Sequence, residues 1–212
     1  MADDLQRVLG YVDATDDATD EAMSEAIDAA TGSAETRKPK MVGQDLYTTP
    51  FWTPEFCSII IRAAEAVGAF EAQADDPVPG HEMSLAVISP RLFEAVQDDI
   101  GQRIWPTLRA VWPYIDYHGL RDVFVIRYAL GEQESLRIHH DVAQVSGSVK
   151  LNDDYSGGEL DFPRQGYCNE TLAVGQLLAW PSLVTHPHQT NQLRSGVKYA
   201  LTVWCELPSF VE

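Results

Sequence analysis

Positive charge is scarce in this sequence. Fifteen Lys and Arg residues stand against 32 Asp and Glu, giving a net charge of −17 over 212 residues. Nucleic acid is bound by neutralising its phosphates with Lys and Arg, so no nucleic-acid partner is expected. The acidity favours a cationic partner or substrate, and it also serves solubility. Cysteine is scarce too. Cys57, Cys168 and Cys205 are odd in number and widely separated, which fits neither a disulfide framework nor a zinc site. No run approaches the roughly 20 apolar residues of a membrane span. The first residues, MADDLQRVLG, carry acids where a secretory signal would carry positive charge. The expectation is therefore a cytoplasmic protein with no membrane partner. No fixed-period repeat is visible.

What is present is the composition of a globular chain, 45% apolar, long enough for one domain with a substantial core. Residues 1–40 are rich in Ala, Asp, Glu and Thr and hold Tyr11 as their sole aromatic. They read as an acidic, flexible N-terminal extension, partly helical over 20–30, and residues 41–212 read as the domain. Its globular part is expected to begin near Leu46. Thr53-Pro54 is a helix start, with Thr53 as N-cap, and Gly68 closes the helix. Residues 72–82 read as loop. A second helix is expected from Ser89-Pro90 to about Trp112, with Leu92, Phe93, Val96, Ile100, Ile104 and Leu108 as its buried stripe. After Gly119 come short β-rich runs: DVFVIRYAL, RIHHDVA, SVKLN, ELDF, TLAV, QLLAWP and VKYALTVW. Two helices followed by many short strands predict a mostly β fold, with helices packed on one face of an antiparallel structure.

Four of the six histidines lie in two close pairs, His139-His140 and His186-x-His188, and Asp141 follows the first pair. In a strand, residues two apart share a face. His139 and Asp141 therefore point together, and one His from a distant strand would complete two nitrogens and a carboxylate on one side of a metal. That set leaves positions open and suits non-haem iron(II) oxygenases. Lys198 is a lone cation inside the apolar strand GVKYALTVW. A buried Lys needs a partner, such as the far carboxylate of a dicarboxylic acid, whereas a Lys on an edge strand would snorkel to solvent. Thr202 shares its parity.

At this point the sequence resembles the 2-oxoglutarate/iron(II) dioxygenases of the prolyl 4-hydroxylase type, and within them the catalytic domain of procollagen lysyl hydroxylases. The stretches are FVIRYALGEQESLRIHHD, VKLNDDYSGGELDF, VGQLLAWPSLVTHPHQT and GVKYALTVW, over residues 124–204, with a weaker likeness at TPEFCSIIIRAAE. The resemblance implies a double-stranded β-helix (jelly-roll, cupin-like) with helices on one sheet. It implies iron(II) held by His139, Asp141 and His188, because the family places its second metal His ten residues before the basic residue for 2-oxoglutarate, here Lys198. His140 and His186 then lie behind the metal ligands, face the substrate or are merely structural, with the last favoured. Lysyl hydroxylases carry Arg in that place, so Lys198 departs from them and lacks the guanidinium fork. The same resemblance implies Tyr128, Thr202 and Ser148 as further contacts to 2-oxoglutarate. Ser148 stands where lysyl hydroxylases have Asn.

Oxygen and 2-oxoglutarate would be co-substrates, with ascorbate as a further candidate. The product side would be succinate, carbon dioxide and a hydroxylated or otherwise oxidised C–H bond. Iron halogenases of this fold lack the carboxylate, so Asp141 favours hydroxylation. The Gly157-Gly158 turn is read as architecture, Trp180, Trp204 and Phe162 as core, and Arg127 and Arg137 as solvated surface. A small-molecule or amino-acid substrate is expected, free or carrier-bound and lysine-like. A residue of a cytosolic protein or peptide is the alternative, and a non-catalytic β-helix binding module is the remote one. If an acid receives a cationic substrate, Glu132, Glu134 and Asp161 are the candidates by proximity to the motifs. The sequence leaves the oligomeric state open.

Overall fold

The computed structural model describes residues 38–72 and 77–208. The expected helix at 20–30 and nearly all of the expected acidic extension fall outside these residues.

Two strands open the fold, the edge strand β1 (Lys40–Gly43) and β2 (Leu46–Pro50) beside it, paired antiparallel. Helix α1 (Pro54–Val67) follows. Thr53 caps it, its Oγ accepting from the Phe56 N–H at 3.2 Å, and Pro54 occupies the first turn, where its missing N–H costs nothing. Gly68 ends it at φ 65°, a left-handed cap suited to glycine. Next come β3 (Glu82–Ser84), within the segment read as loop and just past it, and a short α2 (Leu85–Ile88).

The long helix expected from Ser89 is not uniform. It runs as α3 (Pro90–Asp99), a π-turn over Ile100–Ile104, and α4 (Trp105–Arg109). The reason is Pro106, which lacks the N–H for an i→i−4 bond and crowds the preceding turn. The helix widens just upstream, so the Trp105 N–H reaches back to the Ile100 carbonyl. The expected stripe is otherwise intact: Leu92, Val96, Ile100, Ile104 and Leu108 are all buried.

The remaining chain is β-structure: β4 (Leu120–Ala129), β5 (Leu136–His139), β6 (Val145–Lys150), β7 (Ser156–Gly157), β8 (Leu160–Phe162), β9 (Tyr167–Cys168), β10 (Gln176–Pro181), β11 (His188–Thr190), β12 (Leu193–Ser195) and β13 (Val197–Cys205). One expected strand, TLAV, is a turn. Asn169 takes over its start: its Oδ1 accepts from the Leu160 N–H at 2.8 Å and its carbonyl from the Leu172 N–H at 3.0 Å. The large sheet has the order β1-β2-β10-β6-β13-β4-β3 and the small sheet β5-β11-β8-β9, with β12-β7 as a separate pair.

Alternation along β13 divides the interior. Tyr199, Leu201, Val203 and Cys205 join Val123, Val125 and Val149 in the core under the helices, with Ile60, Leu92 and Ile104. Lys198, Ala200, Thr202 and Trp204 point the other way, into a cavity that residues of the small sheet also line. Among the described residues no helix is long and apolar enough to cross a membrane.

Candidate active site

β5 and β11 bring two histidines together. They pair antiparallel with His139 opposite His188, and the ring centroids are 4.4 Å apart. β5 ends at His139, so Asp141 lies just past the strand, held by the Leu183 N–H donating to its carbonyl at 3.0 Å. Its carboxylate faces both rings: Oδ1 is 3.6 Å from His139 Nε2, and Oδ2 is 3.6 Å from His188 Nε2. One ligand atom from each residue falls within 4.8 Å of the others, a group able to hold a metal ion.

The donor set fits a divalent metal on two further counts. His139 Nδ1 lies 2.9 Å from the Arg137 carbonyl and His188 Nδ1 lies 3.0 Å from the His186 carbonyl. A carbonyl accepts only, so each Nδ1 carries the proton and each Nε2 offers a lone pair to the centre. Asp141 Oδ2 is buried with no hydrogen bond, the kind of orphan that a metal explains. Burial pushes the Asp141 carboxyl up, but the His139 ring, the His188 charge and the Ser146 hydroxyl outweigh it and hold it below its ordinary value. Burial lowers His188, whereas burial of His139 is outweighed by the Asp141 carboxylate and the Arg137 carbonyl, which raise it. Phe162 and Trp180 pack on the His188 ring at centroid distances of 5.3 and 5.0 Å and fix it.

The two neighbouring histidines behave differently. His186 is buried and engaged, with Nε2 3.1 Å from the Gln44 carbonyl and Nδ1 2.9 Å from Thr185 Oγ1. His140 is exposed at the cavity wall.

The cavity has a volume of about 390 Å³, within the range of small-molecule sites. Lys198 lies in its wall, 3% exposed, with Nζ 4.6 Å from the Tyr128 ring centroid. No salt bridge of Lys198 forms among the described residues. Burial lowers its pKa to about 7, against the pull of Glu159. Tyr128 is its register partner on β4, and the Tyr128 hydroxyl is 3.0 Å from Thr190 Oγ1. Thr190 was missed in the sequence, although it lies two residues past His188 on the same strand face. Ser148 and Thr202 are register partners and both line the cavity. They stand four residues of β13 from Lys198, roughly 13 Å of strand rise, toward the Trp204 end.

Other expectations need correction. Trp204 is half-buried: it packs on Phe124, ring centroids 5.0 Å apart, and also lines the cavity, with the Arg121 guanidinium 5.6 Å from its ring centroid. Arg127 is not solvated surface; it forms ion pairs with Glu65 and Glu132. Glu132, Glu134 and Asp161 are not in the cavity wall. Glu134 accepts from the Gly131 N–H at 2.7 Å and Asp161 from Gln189 Nε2 at 3.0 Å. The carboxylates in the wall, among the described residues, are Asp141 and Glu82.

No family model matches the chain. It is 23% identical over 168 residues to the procollagen lysyl hydroxylase and glycosyltransferase of Acanthamoeba polyphaga mimivirus, covering 74% of this chain and 19% of that one. It is 24% identical over 173 residues to the mouse 2-oxoglutarate and iron-dependent oxygenase domain-containing protein 2, covering 75% of this chain and 48% of that protein. The chain thus spans about a fifth to a half of these relatives. Among solved structures it is similar to a viral collagen prolyl hydroxylase of Paramecium bursaria Chlorella virus-1 in a 2OG complex. There the TM-score is 0.60 at 20% identity, over 78% of this chain and 97% of that one. This likeness carries the fold: the two facing sheets form the expected double-stranded β-helix.

Proposed function

We propose, for a chain that belongs by sequence and fold with the 2-oxoglutarate/iron(II) oxygenases of the prolyl 4-hydroxylase type, that it hydroxylates a lysine or proline side chain within a polypeptide. The observation that carries this reading is one cavity holding His139, Asp141 and His188 together with the buried Lys198. In the proposal the two Nε2 atoms and the Asp141 carboxylate hold iron(II), leaving coordination positions open toward the cavity. The iron would supply the oxidising chemistry with oxygen and 2-oxoglutarate, which leaves as succinate and carbon dioxide.

The chain's own groups do the rest. Lys198 donates its ammonium to the far carboxylate of the dicarboxylate. The Tyr128 and Thr190 hydroxyls, already 3.0 Å from each other beside it, complete that cradle. Ser148 and Thr202 serve the other end of the cavity. Ile126, Leu136, Leu160 and Ala200 line the same wall and keep it poor in water, which strengthens each polar contact. The polypeptide substrate rests on the names of the relatives, which specify procollagen and collagen. The free or carrier-bound amino acid expected from the sequence has no counterpart among these three.

The test is succinate formation by the full chain with iron(II), 2-oxoglutarate, oxygen and short lysyl or prolyl peptides. Peptide-stimulated succinate, with a product heavier by one oxygen, is expected. Succinate no higher than in a metal-free control would refute the oxygenase reading.

A further inference from the structure

Three aliphatic side chains stand in water at the edge of the cavity. Val142, Leu183 and Val184 are 56%, 44% and 74% exposed. The backbone brings them together, because the chain past Asp141 runs beside the turn that follows β10. There the Leu183 N–H donates to the Asp141 carbonyl at 3.0 Å and the Ser182 N–H to the Gln144 carbonyl at 3.3 Å. Val142 also lines the cavity, and Leu183 and Val184 do not. The patch therefore starts at the cavity rim and continues outside it.

The turn holds this surface in place. The Val184 carbonyl accepts from Arg164 Nη1 at 3.4 Å, the Thr185 carbonyl accepts from Gln165 Nε2 at 3.1 Å, and Thr185 Oγ1 donates to the Ser182 carbonyl at 3.1 Å. With these polar groups tied back, the turn shows aliphatic side chains outward. Leu183 also holds φ 61°, a left-handed conformation unfavourable for leucine. Glycine or asparagine would sit there at less cost, and neither would offer apolar surface. Arg121, which donates to the Val142 carbonyl at 2.6 Å, and Arg164 supply a polar rim. An apolar centre inside a polar rim is the anatomy of a contact surface. Three side chains exposed to this extent offer far less than the roughly 800 Å² per partner of a stable dimer, so a second copy of this chain is disfavoured as the occupant.

We propose that Val142, Leu183 and Val184 receive an aliphatic side chain of the polypeptide substrate, a few residues from the one that enters the cavity. The proposal deepens the oxygenase reading and rests on it for the polypeptide. A residue whose side chain reaches into the cavity leaves its own backbone at the rim, where Val142 stands. An extended chain advances about 3.3 Å per residue, so residues two to four positions along pass over Leu183 and Val184. A turn already held by hydrogen bonds loses little freedom on docking. An aliphatic residue there takes apolar area out of water on both partners, and a polar one does not. The surface would then choose among polypeptides by the residues beside the target, apart from the chemistry at the metal.

The test needs no turnover. The full chain, loaded with zinc(II) and 2-oxoglutarate, is titrated with labelled peptides that carry a central lysine or proline, with leucine or glutamine placed at each flanking position in turn. At one flanking position the leucine peptide should bind about tenfold tighter than the glutamine peptide. The double variant Leu183→Asn, Val184→Gln should bring that ratio to near one while leaving zinc and 2-oxoglutarate affinity unchanged. It should melt no lower than the parent, because asparagine tolerates the left-handed backbone. The parent's ratio retained in the double variant would overturn the proposal, as would a parent with no leucine preference at any position. A double variant that melts well below the parent would also overturn it, since the two side chains would then be packing within the chain. A parent that sediments as a dimer, with the double variant a monomer, would give the surface to a second copy and overturn it too. Leucine preference that the double variant loses, without peptide-stimulated succinate in the parent, would sink the oxygenase reading alone. Peptide-stimulated succinate without leucine preference would sink the docking surface alone.

Discussion

Asp141→Ala removes the charged ligand of the candidate centre while both histidines stay tethered to backbone carbonyls. Iron(II) affinity should fall by more than the roughly 10–100-fold typical of losing an outer hydrogen-bond partner. Titration of the apoprotein with iron(II) under anaerobic conditions reads it, and unchanged affinity would show the set to be misassigned. His140→Ala should bind iron as the parent does. His186→Ala should also keep its iron but unfold earlier, because the Gln44 carbonyl loses its partner, at a cost of about 1–3 kcal/mol. Lys198→Ala should act on the co-substrate. Removing one member of a buried charge pair costs about 3–5 kcal/mol, so the Kd for 2-oxoglutarate should rise a hundredfold or more with iron binding preserved. The same residue sets a pH dependence. Its pKa of about 7 in the free protein means that the ammonium is half present at pH 7 and approaches full protonation only well below it. Above pH 7 a proton must be taken up before the dicarboxylate is paired, so 2-oxoglutarate affinity should weaken as pH rises. Binding measured from pH 6.5 to 8.5 checks the sign, and affinity that improves with pH would contradict it.

Gly157 shows how a two-residue strand can matter. Its φ is 73°, and a Cβ there would lie 2.3 Å from the Gln192 carbonyl oxygen across the β7–β12 pair. Gly157→Ala should destabilise the fold by about 1–3 kcal/mol, as strain at such a position does; an unshifted melting curve would refute this. The Gly-Gly turn was readable in the sequence because glycine is the residue that tolerates such angles. β4, β10 and β13 are readable as well, since they are long or nearly continuous in apolar residues, whereas β6 is legible only at its end, in SVKLN, because Ser146, Gly147 and Ser148 interrupt it. β2, β3, β9 and β12 are not readable, because two to five residues carry too little pattern. The helix after Ser89 is legible in its stripe, which does not register the break that Pro106 imposes inside it. His139 and Asp141 were found by strand alternation, although the strand stops at His139 and a turn delivers the acid. Glu82 could not be found that way. It enters the cavity by a pairing of β3 with β4 across some 40 residues of chain, whereas Glu132, Glu134 and Asp161 were chosen for nearness along the chain.

At the scale of the whole molecule, the described fold begins with β1, an edge strand whose partner is β2. A chain lacking residues 1–37 should keep iron affinity and melt within a few degrees of the full chain. A chain lacking residues 1–43 should melt lower and aggregate more readily, since β2 becomes a bare edge. Differential scanning calorimetry on both separates the cases, and equal loss in the two would place essential packing before Lys38. The metal set has a consequence for how such a protein matures. Both Nδ1 protons are held by carbonyls of the chain itself, and Phe162 and Trp180 already grip His188. The side chains that would hold the ion are thus oriented by backbone and packing as well as by the ion. In small zinc domains, by contrast, ligation and folding are one event. A site with two imidazoles and a carboxylate has little means of refusing copper, nickel or zinc, all of which bind such donors more tightly than iron(II). Which metal fills it is then decided by the supply of free ions around it, and activity in a cell should track iron availability more closely than protein level.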